Sequence, residues 1–285
     1  MPEVVRWSSK LVLVALLLVT VQTLANNDKD KKEAGGDKNF PSLFSTSANA
    51  PLLTKMADSI YNLISLGDYG LEREVFFKAF KGYQVLQSKG ALKKTDLLTI
   101  CDYSQSINNK RLYVIDLADG RLLFNTFVSH GRNSGNEFAT SFSNFENSNK
   151  SCLGFLVTGG TYSGKAGYSL RFDGMERGIN DRVRSRAIVL HGSRFVNESF
   201  MNVRGTIGKS LGCPAVPFGL HKRIIDAIKG GSCFFINSPD QWYAQTSTIV
   251  NAAFDLSPSL QLNNDALKDG VADATGEDTK KSEAL

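Results

Sequence analysis

The hydrophobic positions in the first part of the chain follow two helical stretches. Apolar residues recur every three or four positions from residue 51 to 64, and again from residue 71 to 86. Gly67, Gly70 and Gly90 stand after these stretches, and glycine is typical of the residue that ends a helix. The pattern predicts two N-terminal helices that pack against the domain that follows.

Beyond Gly90 the apolar residues take the pattern of strands. Apolar runs at residues 111–116 and 121–128 flank an Asp119-Gly120 turn, which is a strong signal for a β-hairpin. Further short apolar runs predict strands at residues 97–103, 154–158, 169–172, 187–190 and 233–236, and an apolar period predicts a helix at 220–228. Residues 130–150 are rich in Ser, Asn and Gly and predict a long surface loop. A mainly β domain with two N-terminal helices and one later helix is expected.

The two ends of the chain differ from its middle. Residues 1–25 place Arg6 and Lys10 before an apolar run and then small residues, which is the layout of a secretory signal peptide. The run is shorter than the ~20 residues that span a bilayer, so only an uncleaved signal segment would attach the protein to a membrane. We expect an exported protein, periplasmic or secreted. The predicted organisation is a signal peptide at 1–25, a disordered linker at 26–50, a helical region at 51–92, a strand-rich catalytic domain at 93–240 and a C-terminal extension at 241–285, disordered from about residue 262.

Charge and spacing exclude several classes of function. The formal net charge is only +5, and the basic residues are scattered rather than interleaved with aromatic ones, which argues against nucleic-acid binding. No His, Cys and carboxylate grouping has zinc-ligand spacing, and the glycines at 159–167 lack the Lys-Ser/Thr ending of a phosphate-binding loop. We expect no metal and no cofactor, and no sequence feature indicates an oligomeric state.

The cysteines allow two interpretations. In an oxidising compartment the four cysteines, Cys101, Cys152, Cys213 and Cys233, could pair in disulfides. Cys152 and Cys233 lie in apolar surroundings and are most simply explained as buried small hydrophobic residues. The sequence leaves the disulfide state open.

Cys213 is the strongest candidate for chemistry. It follows Gly212 and stands 22 residues after His191, and an imidazole that takes the thiol proton is the usual way to activate a cysteine nucleophile. A glycine beside the thiol lets a carbonyl substrate approach backbone amides that would stabilise an oxyanion. Of the other histidines, His221 is expected to be an exposed helical residue. His130 either lines a site or hydrogen-bonds the turn that follows it.

Several short segments around this pair resemble the YkuD-type L,D-transpeptidases. That family carries a His-Gly pair followed by Ser-His-Gly-Cys, and here His191-Gly192 precedes Ser-Leu-Gly-Cys-Pro at residues 210–214. The variant is closer to the murein L,D-transpeptidase catalytic domain branch, which residues 130–135, 142–144, 169–171 and 186–192 also resemble. The resemblance spans roughly residues 97–239.

The resemblance implies a β-sandwich or barrel-like domain that acts on peptidoglycan stem peptides. Carried over by position, Cys213 is the nucleophile that forms a thioester, and His191 is its base. The carbonyl of Gly192 orients the histidine ring, while Ser210 and Gly212 shape the turn of the oxyanion site. The expected reaction is a ping-pong transfer, in which the terminal D-amino acid leaves and an amine takes the acyl group.

Two positions depart from the family pattern. Leu211 replaces the His before Gly-Cys, and Ala215 replaces an Arg or Asn after it. Another residue must then bind the carboxylates of the stem peptide, and a planar guanidinium suits that task. The candidates for substrate binding are Arg132, Arg171 and Arg204.

Two alternative functions stay open at this stage. An L,D-carboxypeptidase would form the same thioester and pass the acyl group to water. A non-catalytic wall-binding protein would instead hold Cys213 in a disulfide, with Cys152 or Cys233 as its partner.

Overall fold

The computed structural model describes residues 50–253. The predicted signal peptide, the linker before residue 50 and the extension beyond residue 253 lie outside the described residues. Within that range the helices are α1 (Ala50–Ile64), α2 (Arg73–Ser88), α3 (Glu198–Arg204), α4 (His221–Ile228) and α5 (Gln241–Thr246), with a 3-10 turn at Leu66–Tyr69. The strands are β1 (Leu97–Asp102), β2 (Leu112–Asp116), β3 (Arg121–Thr126), β4 (Gly154–Gly164), β5 (Gly167–Gly174), β6 (Val189–Ser193), β7 (Ala215–Pro217) and β8 (Cys233–Asn237).

These eight strands form one sheet in the order β3-β2-β1-β8-β4-β5-β6-β7. The β1–β8 and β6–β7 pairs are parallel, and the other neighbours are antiparallel. After β3 the chain continues to Ser129, which bridges to Ala215 in β7. The two ends of the sheet therefore meet, and the sheet closes almost into a barrel. The predicted mainly β, barrel-like fold with two N-terminal helices is confirmed.

The N-terminal helices bury their apolar faces against the sheet. α2 packs on β1 and β8, and its Phe76 and Phe80 are fully buried. Beneath them, the rings of Phe155 and Phe235 stack with their centroids 4.3 Å apart. Each fully buried Phe contributes about 2–3 kcal/mol to the free energy of unfolding, so this layer anchors the helices to the centre of the sheet.

The strand that carries His191 extends further than its apolar run indicates. The sequence placed His191 at the end of a strand over residues 187–190, whereas β6 begins at Val189 and runs through His191 to Ser193. Gly192 and Ser193 continue the strand because they pair in parallel with Val216 and Pro217 of β7. That partner is distant along the chain, so the local pattern did not reveal it.

The first residues of the C-terminal extension fold back onto the domain. Tyr243 and Val250 are buried, and Glu176 holds this segment in place. Its carboxylate accepts hydrogen bonds from the N–H of Phe155 (2.7 Å), the hydroxyl of Tyr243 (3.1 Å) and the hydroxyl of Ser247. In the range 50–253 no helix combines the length and the apolarity needed to cross a bilayer.

Candidate active site

The turn at residues 210–213 is held by the side chain of its first residue. The Ser210 hydroxyl donates to the carbonyl of Cys213 (2.6 Å) and accepts from the N–H of Gly212 (3.1 Å). The backbone of Ser210 also bonds on both sides to the neighbouring loop, through the carbonyl of His130 (2.9 Å) and the N–H of Arg132 (2.8 Å). Ser210 therefore closes the turn and attaches it to the segment that follows β3.

Gly212 is required at its position for two reasons. Its φ is +123°, in the region that side chains rarely adopt. A Cβ at this position would stand 2.8 Å from the carbonyl oxygen of Lys150 and 3.2 Å from Cδ1 of Ile188. The turn can thus pack against the loop that ends at Lys150 only with glycine at position 212.

The thiol of Cys213 is half-buried and has only weak partners. Its Sγ accepts from the N–H of Val189 at 3.5 Å and donates to the carbonyl of Ala187 at 3.7 Å. Burial raises the pKa of the Cys213 thiol, while the Val189 N–H and the charge of Arg186 oppose this rise. Within residues 50–253 the N–H of Cys213 has no acceptor. That amide is therefore available to an oxyanion formed beside Sγ.

His191 lies on the strand next to Cys213. β6 and β7 pair with His191 opposite Ala215, so Cys213, two residues before Ala215, lies beside Val189. Side chains two residues apart along a strand share one face. His191 therefore lies on the same face of β6 as Val189, the residue beside Cys213. The register thus brings the two predicted partners to the same part of the sheet.

The ring of His191 has the tautomer that a base requires. Its Nδ1 lies 3.1 Å from the carbonyl oxygen of Gly192, and a carbonyl only accepts hydrogen bonds. Nδ1 therefore carries the proton of the neutral ring, and Nε2 is the nitrogen that can take one. Burial lowers the pKa of His191, and the bond to Gly192 partly offsets this.

Imidazole and thiol are not hydrogen-bonded to each other in this structure. Among the described residues, Sγ bonds to Val189 and Ala187, and the His191 ring bonds to Gly192. The raised pKa of Cys213 and the lowered pKa of His191 both favour the neutral forms at neutral pH. Proton transfer then requires the two side chains to approach, as catalytic groups often do only when substrate binds.

A cleft of about 230 Å³ opens beside the thiol, lined by Tyr162, Arg171, Phe172, Arg184 and residues 187–189. Arg171 stacks on the ring of Tyr162 at 4.2 Å from its centroid and forms no ion pair with any residue in the range 50–253. Arg184, in contrast, binds both carboxylate oxygens of Asp173, at 2.5 and 2.7 Å. Arg171 is thus the cation of this cleft that a substrate carboxylate could bind.

The other two predicted arginines lie elsewhere. The backbone N–H of Arg132 bonds to Ser210, and its side chain is exposed beside the turn. Arg204 is exposed at the end of α3 and does not line the cleft. Of the three candidates for substrate binding, the structure brings only Arg171 into the cleft beside Cys213.

The expectation that His221 is exposed is wrong. Its side chain is 3% exposed and packs against Gly192, where a Cβ would stand 2.6 Å from the His221 Cγ. His221 precedes Ile224 and Ile225 by three and four residues in α4, which puts all three on the helix face that is buried against the sheet.

His130 hydrogen-bonds the turn that follows it, and the cleft does not include it. It is fully buried, and its Nδ1 accepts from the guanidinium of the buried Arg111 at 2.9 Å. Its Nε2 lies 3.3 Å from the carbonyl of Gly135. Burial, together with the charge of Arg111, lowers the pKa of His130 to about 4. His130 is therefore a neutral part of the scaffold that carries Ser210.

All four cysteines are free thiols. Cys101, Cys152 and Cys233 are buried, as the apolar surroundings of the last two predicted, and burial raises the pKa of Cys101 and Cys152 to about 12. The non-catalytic alternative requires a disulfide at Cys213, and the structure contains none there.

One residue of the site was not singled out from the sequence. Arg186 is half-buried and donates to the carbonyls of Ser143 and Lys150 and to the hydroxyl of Ser148. Arg186 begins the segment 186–192 that carries part of the resemblance, but the sequence assigns it no role, and the nearby Arg182 and Arg184 are exposed. Only the folded position shows the difference.

A family profile described as the L,D-transpeptidase catalytic domain (YkuD_2) matches residues 68–237, more than half of the 285-residue chain. The chain belongs to this L,D-transpeptidase family. The match begins before the expected residue 97 and so includes α2. A search of curated proteins finds no significant match.

Solved structures of similar fold include other L,D-transpeptidases. One from Mycobacterium smegmatis is 12% identical with a TM-score of 0.31, and the comparison covers 50% of this chain and 59% of that one. One from Stackebrandtia nassauensis is 14% identical with a TM-score of 0.30, covering 79% and 90%. One from Xylanimonas cellulosilytica is 15% identical with a TM-score of 0.28, covering 73% and 100%. The family assignment rests on the profile match and not on these values.

The structure gives a reason for one departure of this chain from the family pattern. Ala215 is 2% exposed, between its strand partner His191 and its bridge partner Ser129. It packs with Phe127 and Ile207 in a small apolar cluster. An Arg or Asn at this position would bury its polar group among apolar side chains, which is costly without partners. Leu211, by contrast, is 63% exposed.

Proposed function

We propose that this protein is a cysteine transpeptidase that acts on peptidoglycan stem peptides through a thioester at Cys213. The observation that carries the proposal is the arrangement at the Gly212 turn and the neighbouring β6: a half-buried thiol, an adjacent amide without an acceptor among residues 50–253, and a histidine whose Nδ1 is held by the carbonyl of Gly192. Nucleophile, oxyanion donor and base are the three groups that acyl transfer needs.

The first half of the reaction makes the thioester. Nε2 of His191 takes the proton of the Cys213 thiol as sulfur attacks the carbonyl carbon of the third stem residue. The N–H of Cys213 stabilises the oxyanion that forms. The C–N bond to the terminal D-amino acid then breaks, and His191 returns its proton to the departing amine.

The second half transfers the acyl group. An amine from another stem attacks the thioester carbonyl and gives its proton to His191. The C–S bond then breaks, and His191 passes that proton to the departing sulfur, which restores the thiol. The cleft with Arg171 holds the acyl donor, since a guanidinium without a carboxylate partner suits a carboxylate of the stem. Such substrates lie outside the cytoplasmic membrane, which agrees with the signal peptide predicted at residues 1–25.

The test uses purified protein and a tetrapeptide stem, with and without a stem that offers a free amine. We expect release of the terminal D-amino acid, an acyl adduct at Cys213 in the mass spectrum, and a cross-linked product only when the amine is present. Cys213→Ala should abolish all three, whereas Arg177→Gln, a change at an exposed arginine, should not.

Two outcomes would change the assignment. Equal D-amino acid release with no cross-linked product in the presence of the amine would identify a carboxypeptidase that uses water. Undiminished activity in Cys213→Ala would remove Cys213 from the mechanism.

A further inference from the structure

Arg186 is half-buried, whereas the nearby Arg182 and Arg184 are exposed. Its guanidinium donates to the carbonyl of Ser143, to the carbonyl of Lys150 at 2.7 Å and to the hydroxyl of Ser148 at 3.2 Å. A lysine, with a single nitrogen on a flexible stem, cannot reproduce this planar fork. Arg186 therefore adds a third connection to a loop whose ends are also joined by the bond from the Ser143 N–H to the Ser151 carbonyl (3.0 Å) and by the bond from Lys150 Nζ to the Ser141 hydroxyl (2.7 Å).

These contacts connect Arg186 to the thiol from two sides. The Lys150 carbonyl that it binds is the atom packed against Gly212, 2.8 Å from where a Cβ would stand. The residue after Arg186 is Ala187, whose carbonyl accepts from the Cys213 Sγ at 3.7 Å. Ala187 has a φ of +52°, an uncommon value for a residue with a side chain. The backbone here is thus held in a conformation that aims the Ala187 carbonyl at sulfur.

No carboxylate forms an ion pair with Arg186 in the range 50–253, although Glu146 is near enough to favour its charged form. Within residues 50–253 its partners are two carbonyls and a hydroxyl, and no ion pair includes it. Burial lowers the pKa of Arg186, yet a guanidinium stays protonated in proteins. This positive charge lowers the pKa of the Cys213 thiol and, after the N–H of Val189, opposes the effect of burial.

We propose that Arg186 is a positioning residue for Cys213: its guanidinium fixes the loop of residues 143–150 against the Gly212 turn and keeps a positive charge near the thiol. The assignment rests on the proposed function for its role in acyl transfer. Its effect on the thiol itself is independent of any substrate.

The test is the pH dependence of alkylation of Cys213 by iodoacetamide, followed by mass spectrometry of the peptide that contains it. The other three cysteines are buried, so the folded protein reports on Cys213. In Arg186→Gln the midpoint of the profile should move to higher pH, and the rate at neutral pH should fall about threefold or more, because only the thiolate reacts. Arg186→Lys should keep the midpoint near that of the wild type but lose about tenfold in acyl transfer, because the fork is lost.

Arg177→Gln is the matched control, since Arg177 is exposed in the same segment, and it should leave both the midpoint and the transfer rate unchanged. An unchanged midpoint in Arg186→Gln would overturn the proposal, and so would equal shifts in Arg186→Gln and Arg186→Lys. If thermal melting shows that Arg186→Gln does not fold, Arg186→Met, which keeps the apolar stem, takes its place. A shifted profile in a protein that never transfers an acyl group would refute the proposed function and leave the role of Arg186 at the thiol intact.

Discussion

The polar groups around Glu176 and those around Cys213 differ in how fully they are hydrogen-bonded. At Glu176 the carboxylate accepts from a backbone N–H and from the hydroxyls of Tyr243 and Ser247. At Cys213 the sulfur has two long contacts, and the amide has no acceptor within residues 50–253. Polar groups whose hydrogen bonds are all satisfied stabilise the fold, whereas groups without partners are available to a substrate.

The first and largest prediction tests this difference by removing each central group in turn. Glu176→Ala leaves several buried donors without an acceptor and should lower the free energy of unfolding by about 4 kcal/mol. Cys213→Ala should change it by less than about 1 kcal/mol while abolishing acyl transfer. Urea denaturation of both variants measures this, with Glu176→Gln as the control that keeps volume and one acceptor. A Glu176→Ala protein as stable as the wild type would show that the carboxylate does not anchor the C-terminal segment.

The second prediction concerns the buried histidine beneath the turn. Because the pKa of His130 is lowered to about 4 from an ordinary value near 6.5, the unfolded chain binds a proton between these pH values that the folded protein does not. The free energy of unfolding should therefore fall as pH falls, by ~3 kcal/mol between pH 6.5 and 4. Above pH ~6.5 the contribution is fully present.

His130→Gln provides the comparison for that pH profile. A Gln side chain can still accept from Arg111 but does not titrate. Urea denaturation at pH 7 and at pH 4.5 should thus show a smaller loss of stability in the variant than in the wild type. Parallel curves for the two proteins would mean that His130 binds its proton as easily when folded as when unfolded.

The third prediction tests the close packing at the turn. Gly212→Ala combines a φ of +123° with a contact between Cβ and the Lys150 carbonyl, and should cost ~2–3 kcal/mol in stability. Transfer activity should fall about 100-fold, because a shift of the turn moves Sγ and its amide. Gly178→Ala is the control, since a Cβ there meets no atom within 4 Å although its φ is +80°. Equal activity in the two variants would contradict the packing argument.

The smallest effect is expected at the cleft. Arg171→Gln should raise the KM for stems with free carboxylates about tenfold with little change in kcat, because the lost bond is made in both ground and transition states. Stems with amidated carboxylates should respond less. Stability should stay within ~0.5 kcal/mol, since Arg171 is exposed. A KM equal to that of the wild type would exclude Arg171 from substrate binding.

Much of the fold could be predicted from the chain because its signals are local. The helical period at residues 71–86 corresponds to α2, and the Asp119-Gly120 turn joins β2 to β3. The local sequence pattern could not predict contacts between residues that are far apart along the chain. The extent of β6 depends on β7, and the burial of His221 depends on a Gly192 that is far from it along the chain.

The residues of the candidate site also separate into those that a local motif predicts and those that only the fold reveals. His191, Gly192, Ser210, Gly212 and Cys213 come from a recognisable motif, and their catalytic roles stay predictions. Arg186 begins the segment 186–192 of the resemblance but received no role from the sequence, and only its bonds to Ser143 and Lys150 reveal one. Arg204 was selected by residue type alone, and its place at the end of α3 separates it from the cleft.

The bridge between Ser129 and Ala215 has a consequence for the order of folding. β7 has only three residues, and it is held between β6 and a segment that follows β3, far away along the sequence. Such a short strand gains little until both partners are in place, and the entropy of closing long loops must be overcome first. We expect the turn that bears the thiol to form late, so that Cys213 would be the last of the four cysteines to reach its native rate of alkylation.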